Sequence, residues 1–432
     1  MITSGKGGAR RQAVKGLALA GALSLALAAC GSGDPEPADP NGKITLSVTV
    51  WNLAKTPEFK ALFDAFQQAN PNITIKPVDI LADDYPDKVT TMLAGGDKTD
   101  VITMKNVIDY SRYSSRNQLL ELTDLVKSTD TSKLAGLDAF DVSGKYYALP
   151  YRQDFWLLYY NKTLLDKAGA KLPDPLTWDD YTKLAKELTQ GEGGDKVYGA
   201  YHHTWRSVVQ AISAAQTGGD QLSGDYTFFT DQYNVAKGLQ DAGAVLDFGT
   251  AKSQQADYRS QFESGKTALM PMGTWYISGI LEAKAKGATD VEWGARPHAA
   301  ASRNDRRHHV RLADRVRRQQ ALGARRRGQE VRRVRREQGG GAEAITKVGV
   351  VPALQTPEIT EAYFGLEGMP EDELSKKAFV PDKVTLEMPV SENSSDIDTI
   401  LNEEHELIMV NDKSVADGIR TMNERVKSEV LN

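Results

Sequence analysis

The amino-acid sequence predicts an α/β protein of two lobes, with mainly parallel sheets and helices on both faces. The first observation is that short apolar runs with a period of two alternate with runs of helical period after residue 43. The second is length, since about 390 residues follow the N-terminal region, more than one hydrophobic core accommodates. The third is an aromatic-rich stretch at 138–181 that leads from one α/β unit into the next.

The first unit begins with a clear alternation. Ile44–Trp51 has an apolar residue at every second position, which predicts a strand. Thr56 and Pro57 are typical of an N-cap and the first turn of a helix. Ile73–Val78 predicts a second strand and Asp100–Met104 a short buried third one. In a sheet with this β-α-β order, ligands bind beyond the carboxyl ends of the strands.

The central stretch predicts a crossing between the two units. After the tight turn at Gly144 and Lys145, the aromatic runs Tyr146–Pro150 and Phe155–Tyr160 predict two strands. The four residues 151–154 between them are polar or amphipathic, more than a plain connection requires. We therefore expect the chain to change lobes here.

The second unit repeats the alternation of strands and helices. Thr177 with an acidic residue three positions later predicts a capped helix start. The same patterns predict strands at Val197–Tyr201 and Ala268–Met272, and helices at His202–Gln216, Trp275–Lys286, Asp396–Val410 and Ser414–Val430.

Several short motifs occur in an order and spacing that resemble a known family. They are GKYYALP at 144–150, LYYNK at 158–162, TW at 177–178, GKTAL at 265–269 and GTW at 273–275. On these motifs the chain resembles the extracellular solute-binding proteins of ABC importers, family 1, which are maltose-binding-protein-like. The resemblance extends from about residue 42 to the end, except for one block described below.

The resemblance implies a two-lobed periplasmic-binding-protein fold of type II with a hinged cleft. The hinge is expected near 150–154 and at two later crossings, near 295 and 345–352. The resemblance also implies that the lobes close over a carbohydrate, a mono- or oligosaccharide. The closed form then delivers the sugar to permease subunits driven by a cytoplasmic ATPase. The resemblance implies no cofactor.

The N-terminal region predicts export and lipid anchoring. Residues 1–29 combine a basic start with 14 apolar residues, too short for a membrane span and typical of a signal peptide. The run ends in LAAC, which looks like a lipobox, so the single cysteine, Cys30, is the predicted lipidation site. Residues 30–42 then form a flexible acidic and proline-rich tether. We expect the protein outside the cytoplasm, anchored to the outer face of the cell membrane.

The domain plan contains one anomalous block. We expect lobe 1 to start with 43–150, lobe 2 to start with 151–295, and 345–432 to contain the hinge return and further helices of lobe 2. Between them, 296–344 should return to lobe 1, yet 296–341 holds 15 arginines, no lysine, no aromatic residue of the Phe, Trp or Tyr type, and only four acidic residues. Such a composition does not supply the buried strand and helix that this fold requires there.

Three interpretations of the block compete. It is a solvated basic insertion, an anion- or nucleic-acid-binding arm, or the product of a shifted reading frame. We favour the third because both flanking segments match the family, and we therefore expect no nucleic-acid partner. A protein that truly contains the block is expected to have a weakened first lobe.

Sugar recognition requires carboxylates, amides and cations for the hydroxyl groups and aromatic rings for the flat C–H faces. By the resemblance, Trp275 follows Gly273 and Thr274 as the family's cleft tryptophan does, with core packing as its alternative. Asp154 stands where the family places an acidic ligand residue, with a hinge carboxylate as its alternative. Arg152 either orients Asp154 or contacts the ligand. The remaining candidates are Trp51, Asn52, Lys105, Asn106 and Trp205. Both Trp205 and Tyr201 face either the cleft or the core of the second lobe.

Catalysis and other ligands are the competing functions. No nucleophile, phosphate-binding, dinucleotide or zinc-protease motif is present, and nothing nominates a second carboxylate to act with Asp154 as in a glycosidase. His202 and His203 lack a carboxylate at metal-ligand spacing on the same helix, so we predict no metal. A receptor for peptides or polyamines on the same scaffold stays open. We expect a monomer and not an enzyme.

Overall fold

The computed structural model describes residues 43–298, 340–379 and 386–432. The predicted signal peptide, the lipidation site Cys30, nearly all of the tether, and all but the two ends of the arginine-rich block lie outside the described residues. From Thr45 to Asn432 the chain forms one compact unit. We call 43–150 the first lobe, and 151–295 with 345–432 the second lobe.

The first lobe follows the predicted β-α-β-α order. Its strands β1 and β2 pair in a two-stranded sheet, and proline occupies the first turn of α1 as the sequence predicts. The bounds are β1 (Ile44–Trp51), α1 (Pro57–Ala69), β2 (Ile73–Ile80), α2 (Tyr85–Ala94), α3 (Val107–Ser115) and α4 (Thr123–Ser128). Its core is one cluster of seven buried apolar residues: Val48, Val50, Trp51, Phe59, Tyr85, Val89 and Tyr113.

The predicted third strand of this lobe, Asp100–Met104, is wrong. Only an isolated parallel bridge joins Val101 to Val48, and Val101 is 45% exposed rather than buried. A side chain replaces the next backbone partner, because the Thr103 amide donates to the Thr49 hydroxyl at 3.1 Å. A short apolar run therefore did not suffice to specify a ladder here.

The predicted strand Tyr146–Pro150 is also wrong. Among the described residues, the segment has no strand partner: the Leu122 amide, at the start of α4, donates to the Tyr146 carbonyl at 2.6 Å, and the Tyr147 amide donates to the hydroxyl of Tyr110 in α3 at 3.3 Å. The second predicted strand of the crossing is confirmed as β3 (Trp156–Asn161). Aromatic residues thus mark the crossing correctly, although only one of its two runs joins a sheet.

The second lobe contains a four-stranded sheet in the order β4-β5-β3-β6. Strands β4 and β5 are parallel, but β3 is antiparallel to both β5 and β6, with Tyr159 opposite Met270 and Ala295. The expectation of a mainly parallel sheet is therefore wrong for this lobe. The sequence pattern predicts which segments form strands. It does not predict whether β3, which follows the crossing from the first lobe, runs parallel or antiparallel to its neighbours. The remaining strand bounds are β4 (Tyr198–Ala200), β5 (Thr267–Gly273) and β6 (Trp293–Arg296).

Helices cover this sheet and extend to the C-terminus. Thr177 and Asp180 form the predicted capping box at the start of α6. The helices are α5 (Lys162–Lys167), α6 (Trp178–Leu188), α7 (Gln210–Thr217), α8 (Thr230–Asp241), α9 (Phe248–Ser253), α10 (Tyr258–Glu263), α11 (Tyr276–Ala285), α12 (340–346), α13 (Pro357–Phe364), α14 (Glu373–Ala378), α15 (Ser394–Met409) and α16 (Val415–Arg425).

One predicted helix begins later than expected. The sequence predicts helix from His202, whereas α7 begins at Gln210. The His202 ring is instead buried against Tyr181, whose hydroxyl lies 2.9 Å from the imidazole Nε2. The segment between β4 and α7 consists of a loop and a short 3-10 helix at Arg206–Val208, and Trp205, just before that helix, is 38% exposed.

Two crossing segments run side by side, as the predicted hinge requires. The Gln153 amide donates to the Val351 carbonyl at 2.9 Å, and the Ala353 amide donates to the Tyr151 carbonyl at 3.0 Å. Between them Arg152 forms an antiparallel bridge with residue 352. We call 151–153 with 351–353 the hinge pair. It leads directly into β3 and so fixes the position of residue 154.

Candidate functional site

A cluster of five rings lies where β5 gives way to α11. We call it the aromatic wall, and it comprises Trp156, His203, Trp205, Tyr258 and Trp275. The Gly-Thr-Trp motif is required here by packing, because a Cβ at Gly273 would lie 2.0 Å from a ring atom of Trp275. Glycine at 273 therefore lets the Trp275 indole fold back over the strand end.

The rings of the wall meet mostly edge to face. The Trp275 centroid lies 5.4 Å from that of Trp156 at an interplanar angle of 84°, and 6.0 Å from that of Trp205 at 59°. The His203 ring packs against the edge of Trp205 with centroids 4.2 Å apart. Trp275 is partly buried and Trp205 is exposed, so the wall presents apolar ring surface to solvent. Tyr201, by contrast, is 1% exposed and belongs to the core.

Asp154 lies beside the wall and is held from two sides. The Thr274 hydroxyl donates to its Oδ1 at 3.1 Å, and the Arg152 Nε forms an ion pair with its Oδ2 at 2.8 Å. Thr274 is itself fixed, because its amide donates to the Phe155 carbonyl at 3.0 Å. The carboxylate is thus oriented next to Trp275, and its side chain remains 22% exposed.

Arg152 connects the two lobes through its side chain. Besides Asp154, it pairs with Glu58 of α1 through a 2.8 Å contact between Nη1 and Oε1. Burial disfavours the charge of Arg152, but the carboxylate of Asp154, and further groups including Glu58, outweigh it and raise the pKa of the guanidinium above its usual value. Arg152 is therefore a permanent cation between two carboxylates, and the orienting role is the one of its two predicted roles that these contacts describe.

The remaining predicted residues lie at strand ends of the first lobe and have structural partners. The Trp51 ring is 7% exposed and packs edge-on against Phe59 and Tyr85. The Asn52 side chain accepts from the backbone amide of residue 82 at 3.1 Å, and the Lys105 ammonium donates to the carbonyl of the same residue. Asn106 is the N-cap of α3. These contacts are compatible with a structural role at each position, and their ligand roles stay predictions.

The histidine of the wall, His203, lies close to carboxylates of both lobes. Burial lowers the pKa of His203 to about 4, against the opposing effect of the carboxylates of Asp257 and Asp83. The influence of Asp83 comes from the first lobe, from the loop after β2. His203 is therefore neutral near pH 7, and its Nδ1 lies 2.8 Å from the Tyr201 hydroxyl.

The sequence analysis missed four residues of this region: Trp156, His203, Tyr258 and Glu58. Trp156 follows a predicted ligand by two positions, so the period of the strand was a usable signal. Glu58 carried no signal, because its partner Arg152 is 94 residues away. Trp178 is buried and its indole N–H donates to Gln216, so its contacts are those of a core residue.

Outside the wall, the described residues offer a cavity but neither a metal site nor a membrane-spanning helix. A cavity of about 620 Å³ lies away from the wall, between residues of 130–133, α12 and α13. In the described ranges, no group of three or more histidine, cysteine or acidic side chains is placed to hold a metal ion. The helices of those ranges include none long and apolar enough to cross a membrane.

Two sheets in separate lobes, two paired crossing segments and an aromatic wall beside a held carboxylate are features expected of a solute-binding protein. Comparison with known proteins agrees. The profile of the bacterial extracellular solute-binding proteins matches residues 51–303, more than half of the chain. The chain belongs to this family.

Characterised relatives are distant in sequence. An arabinooligosaccharide-binding protein of Halalkalibacterium halodurans is 24% identical over 51% of this chain and 52% of its own. A multiple sugar-binding protein of Streptococcus mutans is 23% identical over 62% of this chain and 66% of its own. The matched region thus spans about half to two thirds of the length of these relatives.

Solved structures cover more of the chain. A sugar transporter protein of Rhizobium etli in an open conformation is 30% identical, with a TM-score of 0.68 over 89% of this chain and 99% of its own. A substrate-binding protein of Listeria monocytogenes in complex with cycloalternan has a TM-score of 0.70 at 19% identity, covering 89% of this chain and 98% of its own. The latter likeness concerns the fold.

Proposed function

We propose that the protein is the sugar-binding component of an ABC importer, which captures a mono- or oligosaccharide by lobe closure. The observation that carries the proposal is the aromatic wall next to the oriented carboxylate of Asp154. Exposed indole surface suits the C–H face of a pyranose, and a held carboxylate suits a pair of its hydroxyl groups. The names of relatives that bind arabinooligosaccharides or several sugars support the same ligand class.

The site is proposed as Trp275, Trp205 and Asp154 on the second lobe, with Trp51, Asn52, Lys105 and Asn106 completing it from the first. The ligand bridges both and stabilises the closed form, since a ligand favours the state to which it binds more tightly. Closed protein then docks on the permease subunits. We further propose that it acts as a monomer, outside the cytoplasm and tethered by lipid at Cys30.

Isothermal titration calorimetry tests this function. The purified protein, from residue 31 onward, is titrated with arabinotriose, maltotriose, mannotriose, spermidine and a tetrapeptide. We expect micromolar or tighter binding of at least one saccharide and a loss of tenfold or more, about 1.4 kcal/mol, in Trp275→Ala and in Asp154→Ala. Leu120→Ala, at a first-lobe residue that is 81% exposed, is the matched control and should bind normally.

Three outcomes contradict the proposal. Binding of spermidine or the peptide with indifference to every saccharide would replace the ligand class. Unchanged saccharide affinity in both Trp275→Ala and Asp154→Ala would place the pocket elsewhere. Slow release of reducing sugar from the bound ligand would instead indicate a glycosidase.

We also propose the domain plan given above, with 296–341 as the product of a shifted reading frame. The family profile ends at residue 303, shortly after the block begins, which supports this assignment. Tryptic peptides from 296–341 in the purified natural protein, identified by mass spectrometry, would contradict it.

A further inference from the structure

The buried carboxylate of Glu58 in the first lobe is linked to the proposed site by two successive ion pairs, from Glu58 to Arg152 and from Arg152 to Asp154. Glu58 lies in the first turn of α1, and its side chain is 2% exposed. Its Oε1 contacts the Nη1 of Arg152 at 2.8 Å. A buried carboxylate requires a partner of opposite charge, because its desolvation is otherwise uncompensated. Glu58 and Arg152 therefore hold each other in place.

Arg152 is restrained at both ends. Its backbone belongs to the hinge pair through the bridge with Pro352, and its guanidinium lies 5.9 Å from the centroid of the Trp51 ring. The guanidinium offers one edge to Glu58 and the Nε to Asp154. Because a guanidinium is planar and rigid, the direction of its hydrogen bond to Glu58 constrains its ion pair with Asp154.

Asp154 receives this constraint on Oδ2 and a second one, from Thr274, on Oδ1. Thr274 precedes Trp275 directly, so the carboxylate and the indole share one support. The orientation of Asp154 thus depends on a first-lobe residue whose contacts do not include Asp154 itself.

We propose that Glu58 is a positioning residue for ligand binding: it holds Arg152 in the pose that leaves Asp154 facing the cleft. This inference rests on the function proposed above. Without Glu58, the guanidinium is free to rotate and pair through two N–H groups with Asp154, because bidentate pairing is the favoured geometry of arginine with a carboxylate. Asp154 then offers fewer lone pairs to a sugar hydroxyl.

A double-mutant cycle tests the inference with the saccharide that binds best in the calorimetric panel. Glu58→Ala should weaken binding tenfold or more in the natural background and less than twofold in an Asp154→Asn background, because Glu58 acts through Asp154. Glu58→Gln, which keeps an acceptor for Arg152, should recover affinity to within threefold of the natural protein. Asp64→Ala, an exposed position on the same helix, is the matched control and should bind normally.

A merely structural role for Glu58 predicts a different result. Equal losses from Glu58→Ala in both backgrounds, or no recovery in Glu58→Gln at unchanged melting temperature, would overturn the inference. If Trp275→Ala and Asp154→Ala leave saccharide binding intact, the proposed function fails on its own. The positioning step is then judged without ligand, by crystal structures of the intact natural protein and of Glu58→Ala. In Glu58→Ala the Arg152 guanidinium should pair with both carboxylate oxygens of Asp154, and an unchanged Arg152 side chain would overturn the inference.

Discussion

The two lobes differ sharply in how much core they contain. In the described residues the second lobe has a four-stranded sheet and three apolar clusters, the largest with 17 buried residues, whereas the first lobe has a two-stranded sheet and a cluster of seven. Burial of apolar area is the main favourable term in folding. Among the described residues, more apolar area is therefore buried in the second lobe, and we expect the first lobe to be the less stable part.

This difference separates two tasks within the proposed site. The aromatic wall and Asp154 stand on the larger core, where a rigid scaffold keeps rings and carboxylate in register. The first-lobe candidates stand on the smaller core, where their own structural contacts hold them. A ligand that bridges the lobes would thus join a preformed half-site to a softer one, and would stabilise the softer lobe most.

The largest expected effect is a loss of stability in the second lobe on substitution of Gly199. A Cβ at Gly199 would lie 1.6 Å from the carbonyl oxygen of Ala185, where β4 meets α6. Gly199→Ala should therefore lower the free energy of unfolding by more than about 3 kcal/mol, at the upper end of overpacking effects. Urea unfolding followed by circular dichroism measures it. Gly238→Ala in α8, with open space around its Cβ, is the control and should be neutral or stabilise by about 0.5–1 kcal/mol.

Acid should weaken the second lobe selectively. Burial lowers the pKa of His405 to about 3 and that of His202 to about 4, whereas the unfolded chain protonates histidine near pH 6.5. The unfolded state binds more protons in this range, so stability is lost as the pH falls below about 6.5. Each histidine should contribute on the order of 2–3 kcal/mol of loss at pH 4.5.

Melting curves between pH 4.5 and 7.5 measure this acid effect. His405→Asn, which keeps a polar atom near the Tyr233 hydroxyl that now lies 3.0 Å from Nδ1, should flatten the dependence. The first lobe as defined, 43–150, contains no histidine. There burial raises the pKa of Asp109 to about 6. Protonation of Asp109 should therefore stabilise the folded protein as the pH falls through 6. A steeper acid loss in the first lobe than in the second would contradict the comparison.

Native-state hydrogen exchange sharpens the comparison without mutation. Amide protons of the central strand β3 should exchange at least about tenfold more slowly than those of β1, because β3 is paired on both sides and buried on both faces. Mass spectrometry of peptides from the two strands reports the difference. Similar protection in both strands would show that the lobes unfold together.

The smallest expected effect concerns matched helix caps in the two lobes. Thr177→Ala in the second and Asn106→Ala in the first each remove one cap hydrogen bond, and each should destabilise by about 1 kcal/mol. Asn106→Asp preserves the cap, so it isolates the proposed ligand role. Normal melting with weakened saccharide binding would support that role, and normal melting with normal binding would leave Asn106 as a cap alone.

Local patterns in the sequence predicted much of the fold. The capping box at Thr177, the first-turn proline at 57 and the alternation of β1 each depend on neighbours within a few positions, and each was confirmed. The two strands predicted wrongly, Asp100–Met104 and Tyr146–Pro150, each have a backbone amide that donates to a side-chain hydroxyl instead of to a neighbouring strand. Propensity cannot anticipate such competition.

The site was predictable only in part for a related reason. Motif spacing pointed to Trp275 and Asp154, which the structure brings together through Thr274. The rings that complete the wall, and the link from Glu58 through Arg152, join residues far apart in sequence. Distance along the chain hides such contacts, because nothing local in α1 requires an acid at position 58 rather than another helix former.

The indole cluster has a practical consequence. The chain has six tryptophans. The ring centroids of Trp156 and Trp205 lie 5.4 Å and 6.0 Å from that of Trp275, whereas the other three, Trp51, Trp178 and Trp293, are buried in cores. Emission from the first three depends on the polarity of what covers them, and the second three supply a steady background. A ligand that covers the wall as proposed should therefore change the tryptophan emission, and fluorescence would report its binding without any label.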